Sequence, residues 1–434
     1  MCPTCLAEYR DPLDRRFHSQ TNSCPECGIT YWLEDPHGNR IDRNGKACFT
    51  TMAEWLEAGK VLAVKNTSGY LLVCDARNAK AVKTLRTRKK RPAKPFALMY
   101  PNMGALEETI RVPPAAREAL QSPERPIVLL MAGDAPEKIA FGEIAPGLDQ
   151  AGVMLPYSGL LSMLAEAFPH PVVATSGNLH GAPICSSREE ATENLRGVAD
   201  YFLHHDLNIL NAQDDSVLRF GDNPASSGGT EAPILIRRAR GYAPNFSRPA
   251  GKGAGSKLLA LGADLKSSIA LIPNDFLYIS QYLGNLANYD VYQRFTRNVG
   301  AFCELFHTLP AAVLTDVHPG YQSVRFGREW ARSQGLPHYS IQHHKAHFAA
   351  LLGEHNLFAK NYQPWYEELS HTPLFIWDPR YGGCGERRDA LVQPALDLGP
   401  TLLDFFGVDR TPDMLGHNLA ETIANDTPVR EAAI

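Results

Sequence analysis

The sequence predicts an α/β protein of several domains that begins with a small metal-binding module. At 434 residues the chain is too long for one ordinary hydrophobic core, and two or three domains are expected. Four cysteines, arranged in two pairs, lie within the first 27 residues. From about Met52 onward, short β-rich runs alternate with segments of helical spacing, which is the pattern of a layered α/β domain.

The cysteine pairs have the spacing of a structural zinc site. Cys2, Cys5, Cys24 and Cys27 form C-x2-C-x18-C-x2-C, and each pair can present two thiolates to one tetrahedral ion. Four free thiols in a loop-rich segment are the alternative. The intervening residues have too few apolar side chains to fold unaided, so zinc is expected to supply the folding free energy of residues 1–43. Because the first ligand is at position 2, we also expect further sequence upstream.

The composition is that of a globular protein without a membrane segment. Hydrophobic residues make up 44% and charged residues 21% of the chain. No apolar run approaches the roughly 20 residues that span a bilayer, and the N-terminus lacks the apolar core of a signal peptide, so a cytoplasmic protein is predicted. With 43 Lys and Arg against 47 Asp and Glu, the chain is slightly acidic, which argues against a general DNA- or RNA-binding protein.

The elements of an α/β domain are predicted between residues 50 and 245. TMAEWLEAGK has helical spacing and ends at a glycine, and two β-rich runs flank a turn at Asn66 to Gly69. Further strands are predicted in PIVLLMA, GVMLPY and HPVVATSGN, with a helix in SGLLSMLAEAF. Three polar loops, at 122–125, 175–178 and 214–216, are predicted to leave strand ends, where α/β domains usually bind ligands.

A dense block of positive charge ends a predicted helix of this domain. Seven cations and no acid occur in the twelve positions from Lys83 to Lys94. Pro92 and Pro95 end the helix and stiffen its exit, so the cations that follow are held on a pre-set loop. A phosphate site is therefore predicted. A solvated helix face or a nucleic-acid patch is the alternative.

Two further motifs carry candidate ligand-binding side chains. Arg237, Arg238 and Arg240 form a second basic cluster, which is either another phosphate clamp or a basic edge strand. His343 and His347 stand four residues apart in a run of helical spacing, so both imidazoles fall on one helix face and can bind one metal ion. A surface pair, or a pair whose hydrogen bonds are satisfied in the core, is the alternative.

Several of these motifs, in this order, resemble the HypF family of carbamoyltransferases, which mature nickel–iron hydrogenases. The resemblance rests on DPLDRRFHSQ inside the cysteine frame and on CDARN, KKRPAKPFALM, SPERPIVLL, GVMLPY, TSGN, DDSVLRF and RRARGYAP. It continues beyond a linker around 249–257 in LLALGADLKSS, YISQYLGNL, DVHPGYQSVRF and QHHKAHFAALL, so it covers roughly residues 1–350. It implies a zinc finger at 1–43, a YrdC-like α/β domain at 50–245 and, at 257–350, the first lobe of a Kae1-like α/β domain of the ASKHA type.

The resemblance implies a reaction in two stages. The YrdC-like domain makes a carbamoyl-adenylate from ATP, with Mg²⁺, and a carbamoyl donor, which is carbamoyl phosphate or carbamate. The Kae1-like domain then transfers the carbamoyl group to the C-terminal cysteine thiol of a partner maturation protein. Cations that hold the ATP phosphates and stabilise developing charge suit the first stage. Because only one lobe of the Kae1-like domain is recognisable, we expect the transfer to be impaired in this chain.

The resemblance also implies roles for individual residues. These are a catalytic set, Lys90, Arg91, Lys94 and Arg240, and a nucleotide-binding set, Lys65, Ser122, Arg125, Ser176 and Asn178. Metal ligands for iron or zinc are implied at His343 and His347, with Lys345 where the family often has a further histidine. His318 is either a third site residue or a residue that orders its loop. At 65–70 the chain reads KNTSGY where the family has K-G-x-G-G and an aromatic residue, and the lost glycines are expected to narrow the approach to the nucleotide.

After residue 350 the resemblance changes. Residues 351–434 resemble the C-terminal part of sulfatases of the alkaline phosphatase superfamily, in which His355 and Lys360 match metal-side and sulfate-contacting positions. The sulfatase nucleophile motif, Cys or Ser followed by x-Pro-x-Arg, does not occur in the sequence, so sulfatase activity is not expected. Two other functions stay open for the chain: threonylcarbamoyl-adenylate synthesis for tRNA modification, which uses a related YrdC-like domain, and a non-catalytic nucleotide- or RNA-binding module.

Overall fold

The computed structural model describes residues 1–41, 45–132, 139–221, 232–247 and 257–354. The chain divides into two compact units, Met1–Phe348 and Ala349–Ile434. The sulfatase-like segment predicted at 351–434 lies outside the described residues, apart from the end of a helix that stops at Glu354. Within the described residues, no helix has both the length and the apolar character needed to cross a membrane.

A mixed sheet of eleven strands runs through the N-terminal part of the first unit. In chain order its strands are β1 (Tyr31–Glu34), β2 (Arg40–Ile41), β3 (Leu62–Asn66), β4 (Gly69–Asp75), β5 (Ala97–Met99), β6 (Ile127–Met131), β7 (Gln150–Met154), β8 (Val172–Ser176), β9 (Tyr201–His205), β10 (Val217–Gly221) and β11 (Ala232–Arg237). They lie in the order β11-β10-β6-β7-β5-β8-β4-β3-β9-β1-β2. The parallel pairs β3/β9, β5/β7 and β6/β10 stand among antiparallel ones, so the sheet is mixed.

Helices and loops cover both faces of this sheet. The helices are α1 (Pro3–Arg10), α2 (Lys46–Glu57), α3 (Ala79–Arg88), α4 (Met103–Glu107), α5 (Pro114–Gln121), α6 (Phe141–Ile144), α7 (Gly159–Ala167) and α8 (Arg188–Leu195). Successive residues of β4 point to opposite faces, so Tyr70 and Leu72 enter one buried cluster while Leu71 and Val73 enter another. The predicted layered α/β architecture is therefore confirmed.

A second sheet of six strands follows in the chain. Its strands are β12 (Asn245–Ser247), β13 (Leu258–Leu261), β14 (Ile269–Ile272), β15 (Leu277–Ile279), β16 (Ala312–Asp316) and β17 (His338–Ile341), in the order β12-β15-β14-β13-β16-β17. Its helices are α9 (Tyr289–Leu305), α10 (Gln322–Ser333) and α11 (His343–Glu354). Leu259, Phe295 and Val313 belong to its buried core. The helix predicted for the histidine pair is present as α11.

Two of the three polar loops do not leave strand ends as predicted. Loop 175–178 follows β8, but loop 122–125 comes after α5 and leads into β6, and loop 214–216 leads into β10. The cause lies in the element order, because a helix precedes the strand that SPER enters. Only loop 175–178 therefore occupies the carboxyl end of a strand, where ligands usually bind in α/β sheets.

Candidate functional site

A cleft of about 520 Å³ lies between loops of the first sheet and helix α9. Its described wall carries six cations: Lys89, Arg91, Lys94, Arg237, Arg294 and Arg297. Two acidic residues, Glu190 and Asp214, also line it. The excess of positive charge makes this cleft suitable for an anionic ligand.

One buried arginine shapes the basic loop that follows α3. Arg86 Nη1 donates to the carbonyl oxygens of Arg91 at 2.7 Å and Lys94 at 3.1 Å, and its Nη2 donates to the carbonyl of Glu143 at 2.7 Å. The guanidinium also lies 4.5 Å from the ring centroid of Phe96. Arg86 therefore has a structural role, since it fixes the loop that carries the neighbouring cations.

Lys89 is the most buried cation of the cleft, with 1% of its surface exposed. Its Nζ donates to the carbonyl oxygens of Ser176 at 2.5 Å and Asn178 at 2.6 Å, and to Asn178 Oδ1 at 2.7 Å. Burial, and after it repulsion from Arg91, lowers the pKa of Lys89 to about 7. Lys89 thus joins the basic loop to loop 175–178 and changes its charge near neutral pH.

Four residues predicted from the sequence meet at this cleft: Arg91, Lys94, Ser176 and Asn178. Ser176 Oγ donates to Asn178 Oδ1 at 2.7 Å, so the two side chains form one unit with the Lys89 ammonium. Arg91 donates to Thr175 Oγ1 at 3.3 Å and to the carbonyl of Pro95, which holds its guanidinium beside loop 175–178. The arrangement places cations, a hydroxyl and an amide around one space.

Five other predicted residues do not line the cleft: Lys65, Lys90, Ser122, Arg125 and Arg240. Lys90 is exposed and has φ +55°, because the chain reverses just after α3. Lys65 is buried, and its Nζ donates to the carbonyl oxygens of His205 at 3.0 Å and Leu207 at 2.9 Å. Ser122 Oγ donates to a carbonyl at the end of its own helix, at 2.8 Å. The buried lysine and the serine therefore serve the protein's own hydrogen bonding.

Arg240 lies in a separate buried junction. Its Nε donates to Asp215 Oδ1 at 3.0 Å, and its Nη atoms donate to the carbonyl oxygens of Glu124 at 2.7 Å and Arg125 at 2.8 Å. The guanidinium lies 3.4 Å from the ring centroid of Tyr157. Burial raises the pKa of Asp215, and the Arg240 guanidinium opposes that shift. These contacts tie loop 122–125 to loop 214–216 and leave the guanidinium fully used.

The histidine pair of α11 forms a second candidate site. His343 Nδ1 lies 2.6 Å from Asp316 Oδ2, and its Nε2 lies 3.1 Å from His347 Nε2. Although desolvation acts to raise it, the hydrogen bond with His343 lowers the pKa of Asp316. Two ligand nitrogens on one zinc ion are about 3.3 Å apart at ordinary Zn–N lengths, so the pair fits one ion, with Asp316 orienting His343. His318 stacks on Tyr321, with centroids 4.2 Å apart, which suits a loop-ordering role.

The four N-terminal cysteines converge as predicted. All four Sγ atoms lie within 4.8 Å of one another, with separations of 3.6 Å for Cys2–Cys24, 3.9 Å for Cys24–Cys27 and 3.7 Å for Cys5–Cys27. Four sulfurs at the usual Zn–S length are about 3.8 Å apart in a tetrahedron, so the cluster fits one structural zinc ion with no open position. Backbone hydrogen bonds from Cys2 and Cys24 lower the pKa of Cys27 to about 6, which favours its thiolate.

Family models match three successive parts of the chain. The HypF finger matches residues 1–34, the Sua5, YciO and YrdC model described as "Telomere recombination" matches 54–231, and the HypF Kae1-like domain matches 253–354. The carbamoyltransferase HypF of Rhodobacter capsulatus is 42% identical over 363 residues, which are 83% of this chain and 46% of that protein. Residues 1–354 belong to the HypF family.

Solved structures of HypF proteins have the same fold. Full-length HypF in a phosphate- and nucleotide-bound form superposes with a TM-score of 0.72 at 35% identity, over 82% of this chain and 44% of that one. The HypF of T. kodakarensis gives a TM-score of 0.74 at 35% identity, over 82% and 45%. The chain therefore spans about half the length of the HypF relatives it matches.

The sulfatase resemblance has a narrow basis. An N-acetylglucosamine-6-O-sulfatase of Bacteroides thetaiotaomicron is 36% identical over 75 residues, which are 17% of this chain and 13% of the sulfatase. A match of this extent supports a short segment in common. A sulfatase-like identity for residues 351–434 remains a sequence-based prediction.

Proposed function

We propose that this HypF-type chain activates a carbamoyl group with ATP in the basic cleft. In the proposed step a carbamate oxygen bonds to the α-phosphorus of ATP, the bond to the pyrophosphate oxygen breaks, and carbamoyl-adenylate and pyrophosphate form. When carbamoyl phosphate is the donor, its hydrolysis first yields carbamate and phosphate. Mg²⁺ would neutralise part of the phosphate charge in this step.

The observation that carries the proposal is the convergence of Lys89, Arg91, Ser176 and Asn178 on one cleft. Fixed cations stabilise the charge that develops on the departing pyrophosphate, and they do so more strongly in a partly desolvated site than in water. Arg294 and Arg297 of α9 add positive charge from the opposite wall. The full-length HypF that superposes on this chain was solved with phosphate and nucleotide bound, which supports a nucleotide site in a protein of this fold.

ATP–pyrophosphate exchange tests the proposed reaction. We expect label from pyrophosphate to enter ATP only when carbamoyl phosphate or carbamate is present with Mg²⁺. Stimulation by threonine with bicarbonate instead would favour threonylcarbamoyl-adenylate synthesis. Nucleotide binding without exchange under either condition would favour a non-catalytic module and contradict the proposal.

We further propose that His343 and His347 hold one metal ion, iron or zinc, for the transfer stage. The ion would polarise a carbonyl as a Lewis acid, and Asp316 would keep the His343 ring oriented through Nδ1. The acceptor proposed for this stage is a C-terminal cysteine of a partner maturation protein, in a cytoplasmic setting.

Zinc titration of matched variants tests the histidine site. His343→Ala should remove the weaker of two zinc-binding events and leave the cysteine site occupied, whereas Asp316→Asn should weaken that event by roughly tenfold or more. His344→Ala is the control, because His344 is an exposed neighbour whose Nδ1 contacts Gln342. Equal zinc binding by wild type and His343→Ala would contradict the site.

A further inference from the structure

The last strand of the finger ends in a buried carboxylate. β1 pairs antiparallel with β9, which places Glu34 at the inner edge of the finger, and only 2% of its surface is exposed. Glu34 Oε2 accepts hydrogen bonds from Arg188 Nε and Nη2, each at 2.9 Å, and from Trp32 Nε1 at 3.4 Å. The finger therefore contacts the first residue of α8 through a charge-assisted pair with two donors.

The other oxygen of Glu34 faces a buried tyrosine–histidine pair. Tyr70 Oη lies 2.6 Å from His204 Nδ1, and His204 Nε2 lies 3.7 Å from Glu34 Oε1. Burial lowers the pKa of His204 to about 4, so the imidazole is neutral at pH 7. If the Tyr70 hydroxyl donates to Nδ1, the imidazole N–H is at Nε2 and points at the carboxylate. The order of donors then runs from Tyr70 through His204 to Glu34.

Both connections end on the same segment of the cleft wall. We define the cleft loop as residues 177–187, which leads from β8 to α8 and carries Asn178, His180 and Ser186 into the cleft. At its start, the Tyr70 carbonyl accepts a hydrogen bond from Gly177 N at 2.6 Å, and Tyr70 N donates to the Cys185 carbonyl at 2.9 Å.

No side chain fits between Tyr70 and the cleft loop. A Cβ on Gly177 would lie 2.5 Å from Tyr70 Cβ. The backbone of Tyr70 and the start of the loop are therefore in direct contact, and a shift of one displaces the other.

The far end of the cleft loop is held between two charged pairs. Arg188 begins α8 and binds Glu34 of the finger. Two residues later, Glu190 Oε2 accepts hydrogen bonds from Ser186 N at 2.7 Å and Ser186 Oγ at 3.0 Å, and it lies 3.5 Å from Arg294 Nη2 of α9. The loop is thus fixed at one side by the finger and at the other by the second sheet's helix.

We infer that Glu34 is a positioning residue for the nucleotide cleft, acting through Arg188 and through Tyr70 and His204 on the cleft loop. The inference rests on the proposed function, because it concerns how the finger sets the affinity of that cleft for nucleotide. A buried ion pair is a weak source of net stability, since desolvation offsets much of its attraction. Its two-donor geometry instead restricts where Arg188, and with it the end of the cleft loop, can lie.

The test compares Glu34→Gln with Glu8→Gln in the full chain. Glu34→Gln keeps the side-chain volume and removes the charge, while Glu8 pairs with Arg16 at 2.8 Å inside the finger, away from β9. We expect Glu34→Gln to weaken binding of Mg²⁺·AMP-PNP by roughly fivefold or more and to speed hydrogen exchange in residues 177–187, with zinc content unchanged. Glu8→Gln should change neither measurement.

Conservative replacement separates positioning from general loss of packing. Arg188→Lys keeps a cation that can reach the carboxylate and should retain much of the affinity that Arg188→Gln loses. In the Arg188→Gln background, Glu34→Gln should have less effect on affinity than it has alone, because the two side chains act as one unit. Equal losses with Lys and Gln at position 188, or fully additive losses, would overturn the inference.

The outcome is separable from that of the proposed function. If wild type binds AMP-PNP but Glu34→Gln binds it equally and exchanges equally in residues 177–187, the inference is wrong and the nucleotide site stands. If wild type binds no nucleotide, the proposed function is wrong. In that case faster exchange of the cleft loop in Glu34→Gln still supports the positioning contact, and unchanged exchange overturns it.

Discussion

Replacing Lys89 by methionine is expected to weaken Mg²⁺·AMP-PNP binding and ATP–pyrophosphate exchange roughly a hundredfold, the effect of losing one or two charged hydrogen bonds. Methionine matches the length of the lysine stem and fills its buried channel, so the change removes mainly the ammonium. Lys89 sits beside the oxygens of Ser176 and Asn178, where a phosphate would meet it. Calorimetry of AMP-PNP binding and the exchange rate are the two measurements.

Lys90→Met is the matched control for this prediction. It removes the same charge from the next residue, but Lys90 is exposed and lies off the cleft wall, so binding should stay within about twofold because an exposed charge is screened. A larger loss for Lys90→Met than for Lys89→Met would show that the phosphate site lies on the outer face of the loop.

The same lysine should give the binding a pH dependence. Its pKa of about 7 in the free protein means that the ammonium is largely present below pH 7 and is lost as the pH rises. Phosphate favours the charged form, so binding above pH 7 requires uptake of a proton, and affinity should fall by up to about tenfold per pH unit. Lys89→Met should bind more weakly with a flat profile over that range, and an unchanged slope would contradict the assignment.

The helical phase of α3 shows how much of the site the sequence contained. Buried positions of this helix are Ala81, Val82, Leu85 and Arg86. Continuing that face by three or four residues reaches Lys89, whereas Lys90 is exposed. The charge count therefore located the right segment, and the periodicity of the same segment could have selected the right lysine.

Other parts of the site left no comparable signal. Arg294 and Arg297 reach the cleft from α9, about 200 positions beyond Lys89, and only the packing of two sheets brings them there. Arg240 was equally misleading, because a motif position does not reveal that Asp215 and two backbone carbonyls occupy its guanidinium. Strands, helices and the cysteine cluster were predictable because local spacing determines them. Which cations face one another depends on tertiary packing.

Replacing Cys5 by serine is expected to abolish zinc binding by the finger and to unfold residues 1–30 locally. Among these residues only Cys5 and Asn22 are buried, so the finger has almost no hydrophobic core. Its ion pair between Arg16 and Glu8 is partly exposed and contributes at most about 1 kcal/mol, whereas zinc binding to four thiolates is worth on the order of 10 kcal/mol. Zinc content should fall by about one per chain, with rapid hydrogen exchange in α1.

Cys303→Ser is the control for the loss of a thiol, because Cys303 is a half-buried residue of α9 far from the cluster in sequence. It should keep the finger zinc and slow exchange in α1. The first sheet should keep its thermal transition in Cys5→Ser, since its buried clusters include Leu33 of β1 but no residue from 1–30. Slow exchange in α1 of the zinc-free Cys5→Ser protein would mean that the finger folds on protein contacts alone. The ion would then have to act in something other than folding.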